Sequence, residues 1–86
     1  MTGADSRQNP VAIVTGGAQG IGRAVTLYLQ QKGFQVVVAD VLEEAASELS
    51  GATFVKADVS KEIEIRQLIQ TTVEKFERID ALVNNV

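Results

Sequence analysis

The sequence predicts an α/β fold, the first half of a doubly wound parallel sheet, with the order β-α-β-α-β-α-β and strand order 3-2-1-4. Three observations carry that expectation. Short runs such as "VAIVT" and "FQVVVAD" are too apolar to leave a wet face, which suits strands buried on both sides. Stretches with helical periodicity separate those runs, and such alternation implies parallel strands joined by helical crossovers. A glycine-rich turn, "TGGAQGIG", stands between the first run and the first helical stretch.

Residues 1–9, "MTGADSRQN", read as a flexible polar tail, and residues 10–86 as one folded unit. The first strand is "VAIVT" (11–15). A helix follows from Ile21 to Lys32, with Ile21, Val25 and Leu29 recurring on one apolar stripe and Gly33 placed to end it. The second strand is "FQVVVAD" (34–40), and "LEEAASELS" (42–50) is a short amphipathic helix stopped by Gly51. "TFVKAD" (53–58) makes the third strand. Ser60 is placed to cap the next helix, with Glu62 near its positive end. Ile65, Leu68, Ile69, Val73 and Phe76 form that helix's apolar stripe, and "DALVNNV" (80–86) is a fourth apolar strand.

Composition excludes whole classes of chemistry. The 86 residues suffice for one small domain, burying about 60–65% of the unfolded surface. Net charge is -3 and the basic residues are scattered, which argues against a nucleic-acid partner. No apolar run reaches the roughly 20 residues of a membrane span, and the N-terminus lacks a signal-peptide pattern. A cytoplasmic setting is therefore the default expectation. Without Cys or His there are no disulfides, thiol nucleophiles, Ser-His-Asp triads or usual zinc sites.

The glycine turn points to a phosphate ligand. Backbone without side chains approaches a pyrophosphate closely, and a helix N-terminus supplies N–H groups and a positive dipole end. Asp40 closes the second strand 18 residues after Gly22, near the spacing of about 20 expected for a carboxylate that binds ribose hydroxyls. The bland alternative is a tight βα turn beside a solvated Asp.

Thr15-Gly16, three intervening residues, then Gly20-Ile21-Gly22 resembles the cofactor loop of the short-chain dehydrogenase/reductase family. Asp58-Val59 after the third strand and Asn84-Asn85 at the end of the fourth match two more of its motifs, so the resemblance runs from Val11 to Val86. It implies the N-terminal part of a Rossmann-type, dinucleotide-binding domain from an oxidoreductase that moves hydride between a nicotinamide cofactor and an alcohol or ketone. Thr15, Gly16, Gln19, Gly20, Ile21 and Gly22 would form the pyrophosphate loop and Asp40 would hold the adenosine ribose. The Asp58 side chain and Val59 backbone would read the adenine edge. Asn84 would bring its backbone near the ribose, while one or both asparagines brace the sheet.

A 2′-phosphate beside Asp40 would meet like charge, and Gln19 and Val41 are neutral where NADP users of the family often carry a basic residue. NAD is thus favoured over NADP. Arg23, at the helix start, suits either a surface or a phosphate-side role.

The family's serine and Tyr-x-x-x-Lys pair lie beyond residue 86 in a full-length relative, so no catalytic residue is assigned and this chain is expected to be an inactive fragment. The alcohol or ketone substrate and the tetramer usual in the family belong to that full-length parent. Small departures are Val86 in place of the usual alanine and Glu77 in a stretch where "FG" is typical. "YLQQK" (28–32) places Tyr28 and Lys32 at the catalytic spacing, but on the first helix, where dipole and packing roles suffice. A stand-alone nucleotide-binding module and a non-functional fragment remain alternatives. A methyltransferase is disfavoured, because "VAIVTGG" has no acid ahead of its glycines.

Overall fold

The central strand is β1 (Val11–Thr15), whose five residues are all buried. The computed structural model describes residues 9–18, 20–41 and 51–85. After β1 come α1 (Gly20–Gln31), β2 (Gln35–Asp40), β3 (Thr53–Lys56), α2 (Glu62–Phe76) and β4 (Ala81–Asn84). The strands form one sheet in the order β3-β2-β1-β4, every pair parallel, as the sequence predicts. The reading of residues 1–8 as a tail, the helix expected over 42–50, and Gln19 lie outside the described residues.

Alternation along the strands divides the core between the two faces. Val11, Ile13, Val37 and Ala39 meet Leu68 and Phe76 of α2 on one side. Val14, Val36 and Val38 face the other, where Val25 and Leu29 of α1 pack. β1 and β2 therefore read as continuous apolar runs because each face has a helix to cover it. β4 departs from that expectation. Its residues alternate between half-buried and exposed, and Leu82 is 61% exposed.

Both helices bury a narrower line than the sequence predicts. On α1 the buried residues are Gly22 and Thr26, while Ile21 is 76% exposed. The helix sits on the sheet through its small residues, with Val25 and Leu29 packed beside them, and Ile21 at the helix start is left outside that packing. On α2 the buried line is Leu68, Thr72 and Phe76, leaving Ile69 and Val73 exposed. Ser60 does not cap α2. Lys61, whose side chain has no acceptor, occupies the N-cap without a side-chain bond, and the Ser60 hydroxyl donates to Asp58 instead.

Helix α1 ends at Gln31, one residue earlier than predicted, with Lys32 just beyond it. Gly33 takes a left-handed φ of 93° and Phe34 N–H donates to Leu29 C=O, so the termination expected at Gly33 is the one observed. Glu77 ends α2 in the same conformation, φ 64°, its N–H donating to Val73 C=O at 2.8 Å. Glycine is favoured at such a position, which gives a physical reason for the family's "FG" there.

The strand starts are joined by Asp80. Its Oδ2 accepts from Val11 N–H at 2.7 Å, and its own N–H donates to Val11 C=O at 2.8 Å. Arg78 grips both carboxylate oxygens, at 2.8 and 2.6 Å. The Arg78 hydrogen bonds, then the Val11 amide, hold the Asp80 carboxyl below the usual carboxylate range.

Candidate functional site

At the opposite end of the sheet the strands run into a cleft of about 200 Å³ lined by Gly16, Ala39, Asp40, Val41, Ala57, Asp58, Val59 and Asn85. Open α/β sheets bind ligands outside the carboxyl ends of their strands, which is where this cleft lies.

Its floor is a set of long-range hydrogen bonds. The Thr15 hydroxyl donates to Asn84 Oδ1 at 2.9 Å and accepts from Asn85 N–H at 3.0 Å. Asn85 Nδ2 donates to Gly16 C=O at 3.3 Å, and Gly16 N–H donates to Ala39 C=O at 2.7 Å. Thr15 is thus the buried anchor beneath the loop, its hydroxyl engaged by β4 and the residue after it. Asn84 and Asn85 brace the sheet end between them.

The loop glycines answer to two different demands. A Cβ at Gly22 would run into Gly16 C=O and Asn85 Nδ2, and one at Gly16 into Asn85 C=O, so both are needed for close packing. Gly20 is the opposite case, with φ 62° and open space where a side chain would stand. Bare backbone facing open space at the start of α1 is what a bound pyrophosphate requires. Thr26 closes the packing, its hydroxyl donating to Gly22 C=O at 2.9 Å.

Asp40 ties the loop to β2. Its Oδ2 accepts from Ala18 N–H at 3.2 Å and Oδ1 from Val41 N–H at 2.7 Å. Asp58 Oδ1 accepts from the Ser60 hydroxyl at 2.7 Å and from Ser60 N–H at 3.0 Å, and these bonds hold its carboxyl below the usual range. The result is a small cleft lined by two carboxylate residues, with the glycine loop bordering it through Gly16. Those groups suit a ligand carrying a diol and a pyrophosphate.

The sequence-predicted residues do not all meet in one place. Gly16, Asp40, Asp58 and Val59 line the small cleft. Thr15 and Asn84 instead line a larger apolar cavity of about 470 Å³ between β1, β4 and α2, which Asp58 and Val59 also border. Gly20, Ile21 and Gly22 line neither and form the helix start beside the cleft. Tyr28 and Lys32 do come together, with Lys32 Nζ 5.4 Å from the ring centre, but they line neither cavity. The tyrosine is 57% exposed, with the lysine ammonium over its ring.

The chain matches the short chain dehydrogenase family over residues 10–86. It belongs to that family. Among relatives of this short-chain dehydrogenase chain, a 3-oxoacyl-[acyl-carrier-protein] reductase of Synechocystis sp. is 45% identical over 84 residues, covering 87% of this chain and 34% of that protein. A crystal structure of a short chain dehydrogenase from Bacillus anthracis superposes with a TM-score of 0.82 at 34% identity, covering 93% of this chain and 35% of that one. A 3-ketoacyl-(acyl-carrier-protein) reductase from Brucella melitensis, solved in complex with NADH, gives 0.77 at 31% identity, covering 85% and 32%. Members of the family use nicotinamide cofactors. The chain spans about a third of the length of the curated relatives it matches, 34%, 34% and 30% for three of them.

Two residues in or next to the cleft are missing from the set that the sequence singles out for cofactor contact. Asn85 lines the cleft itself, and its place at the end of an "NN" pair was the available signal. Glu64 accepts a hydrogen bond from Asp58 N–H at 2.7 Å, and no motif announces it. Among the described residues, no helix is long and apolar enough to cross a membrane.

Proposed function

We propose that the chain is the cofactor-binding segment of an NAD(H)-dependent short-chain dehydrogenase acting on a secondary alcohol or its ketone. The observation that supports this most is the convergence of Gly16, Asp40, Asp58, Val59 and Asn85 on one cleft at the carboxyl ends of the strands. The loop from Gly16 to Gly22 and the start of α1 bind the pyrophosphate. Asp40 accepts from the adenosine ribose hydroxyls, and Asp58 with the Val59 N–H receives the adenine. The backbone at Asn84 approaches the second ribose. The bound nicotinamide supplies or accepts the hydride. The segment's own part is to hold and orient the dinucleotide, and neither Tyr28 nor Lys32 takes part.

NAD is favoured over NADP on charge. Asp40 and Asp58 both rim the cleft, and a 2′-phosphate brought between them would meet repulsion in a partly desolvated space. Calorimetric titration of the 86-residue chain with each dinucleotide tests the reading. The expected result is NAD binding that weakens about tenfold in Asp40→Ala, while NADP gains relative to NAD. An NAD titration that stays flat to about 1 mM overturns it.

A further inference from the structure

The segment from Ala57 to Lys61 lies between β3 and α2, its first three residues line the cleft, and it is held by bonds of its own and by bonds to both neighbours. Asp58 C=O accepts from Lys61 N–H at 3.0 Å, and Asp58 Oδ1 accepts from Ser60. Ala57 N–H reaches Asp40 C=O at 3.1 Å, which ties the segment to β2. Among the described residues, a side chain from outside the segment also holds it: Glu64 Oε1 accepts from Asp58 N–H at 2.7 Å. Glu64 lies in the first turn of α2 and is partly buried, and its Oε2 stands 3.9 Å from Lys61 Nζ.

We infer that Glu64 is a positioning residue for the adenine side of the cleft. The Asp58 N–H belongs to the rigid Ala57–Asp58 peptide plane, so the Glu64 carboxylate anchors one side of the Asp58 Cα, while the Lys61 N–H on its carbonyl and Ser60 on its side chain hold the other. The peptide group that follows Asp58 carries the Val59 N–H, which has no partner among the described residues and borders the cleft. Helix α2 thereby sets how an adenine ring is met without touching it. The spacing of Glu64 from Asp58, six positions, matches no helix-capping pattern, because its target lies three residues ahead of the N-cap Lys61.

This inference rests on the dinucleotide reading above, and the test separates the two. The 86-residue chain, Glu64→Ala and Glu64→Gln are titrated with NAD and with 5′-AMP, and backbone amide exchange is followed by NMR. Glu64→Ala is expected to lose about tenfold in affinity for both ligands, whereas Glu64→Gln, which keeps an acceptor, stays within about threefold. In Glu64→Ala the Asp58 amide is expected to exchange at least about tenfold faster, with the Val14 and Val38 amides unchanged. Undiminished 5′-AMP binding in Glu64→Ala overturns the inference and leaves the NAD reading standing. Equal losses in both variants, with Val38 exchanging as fast as Asp58, mark a general loss of fold and also overturn it. A wild-type chain that binds neither ligand removes the NAD reading and this inference together.

Discussion

β1 and β4 are neighbours in the sheet, paired residue for residue from Ala12 with Ala81 to Thr15 with Asn84, and both are short apolar runs. Their surroundings differ completely. Ile13 of β1 is 1% exposed, and Leu82, its partner across the ladder, is 61% exposed. β1 has a strand on either side and a helix over each face, whereas β4, among the described residues, borders β1 alone and shares an open apolar cavity with α2. The contrast teaches that apolar character selects the strand, while the place in the sheet decides how much burial that strand receives.

Truncating the two paired residues should separate them most widely. Ile13→Ala is expected to destabilise the fold by about 2–5 kcal/mol in urea denaturation, since it empties packed core. A loss under about 1 kcal/mol would mean that β1 is not the centre of the packing. Asp80→Asn attacks the joint between the strands and should give a smaller fall in the denaturation midpoint at about pH 6. Because Asp80 titrates below its ordinary 3.8 in the folded chain, its contribution is present above that value and lost as pH falls through the depressed one. The gap between wild type and Asp80→Asn should accordingly close on acidification, and a constant gap would show that the carboxylate's charge is not what matters. The smallest effect belongs to Leu82→Ala, within about 0.5 kcal/mol of wild type in the same assay. Its clearer readout is sedimentation, where any concentration-dependent association through this face should weaken.

How much of this was legible beforehand depended on whether the signal was local. The Val-rich runs of β1 and β2, the glycine loop and the place of Asp40 announce themselves, because each rests on residue type at fixed spacing. The buried face of α1 does not. It is made by Gly22 and Thr26, and a count of apolar residues passes over the small ones that allow close approach. Ser60 looked like a helix cap because serine often is one, but its hydroxyl was claimed by Asp58 two residues earlier. Glu64 was unreadable for a related reason. Its partner is a backbone N–H, which every residue except proline carries, so nothing in the letters marks it. The exposure of Leu82 depends on what else lies against β4, and the composition of β4 cannot express that.

The hydrogen bonds beneath the cleft also have a kinetic meaning. Thr15 and Gly16 meet Asn84 and Asn85 across separations of 69 and 70 residues, almost the length of the chain. A loop of that size loses conformational entropy on closing before its contacts return any stabilisation, and all-parallel pairing offers no local hairpin to start from. The glycine loop can sample its turn early, yet its carbonyl and its anchor are fixed only when β1 meets β4 and Asn85. The final shape of the loop therefore waits on the pairing of β1 with β4.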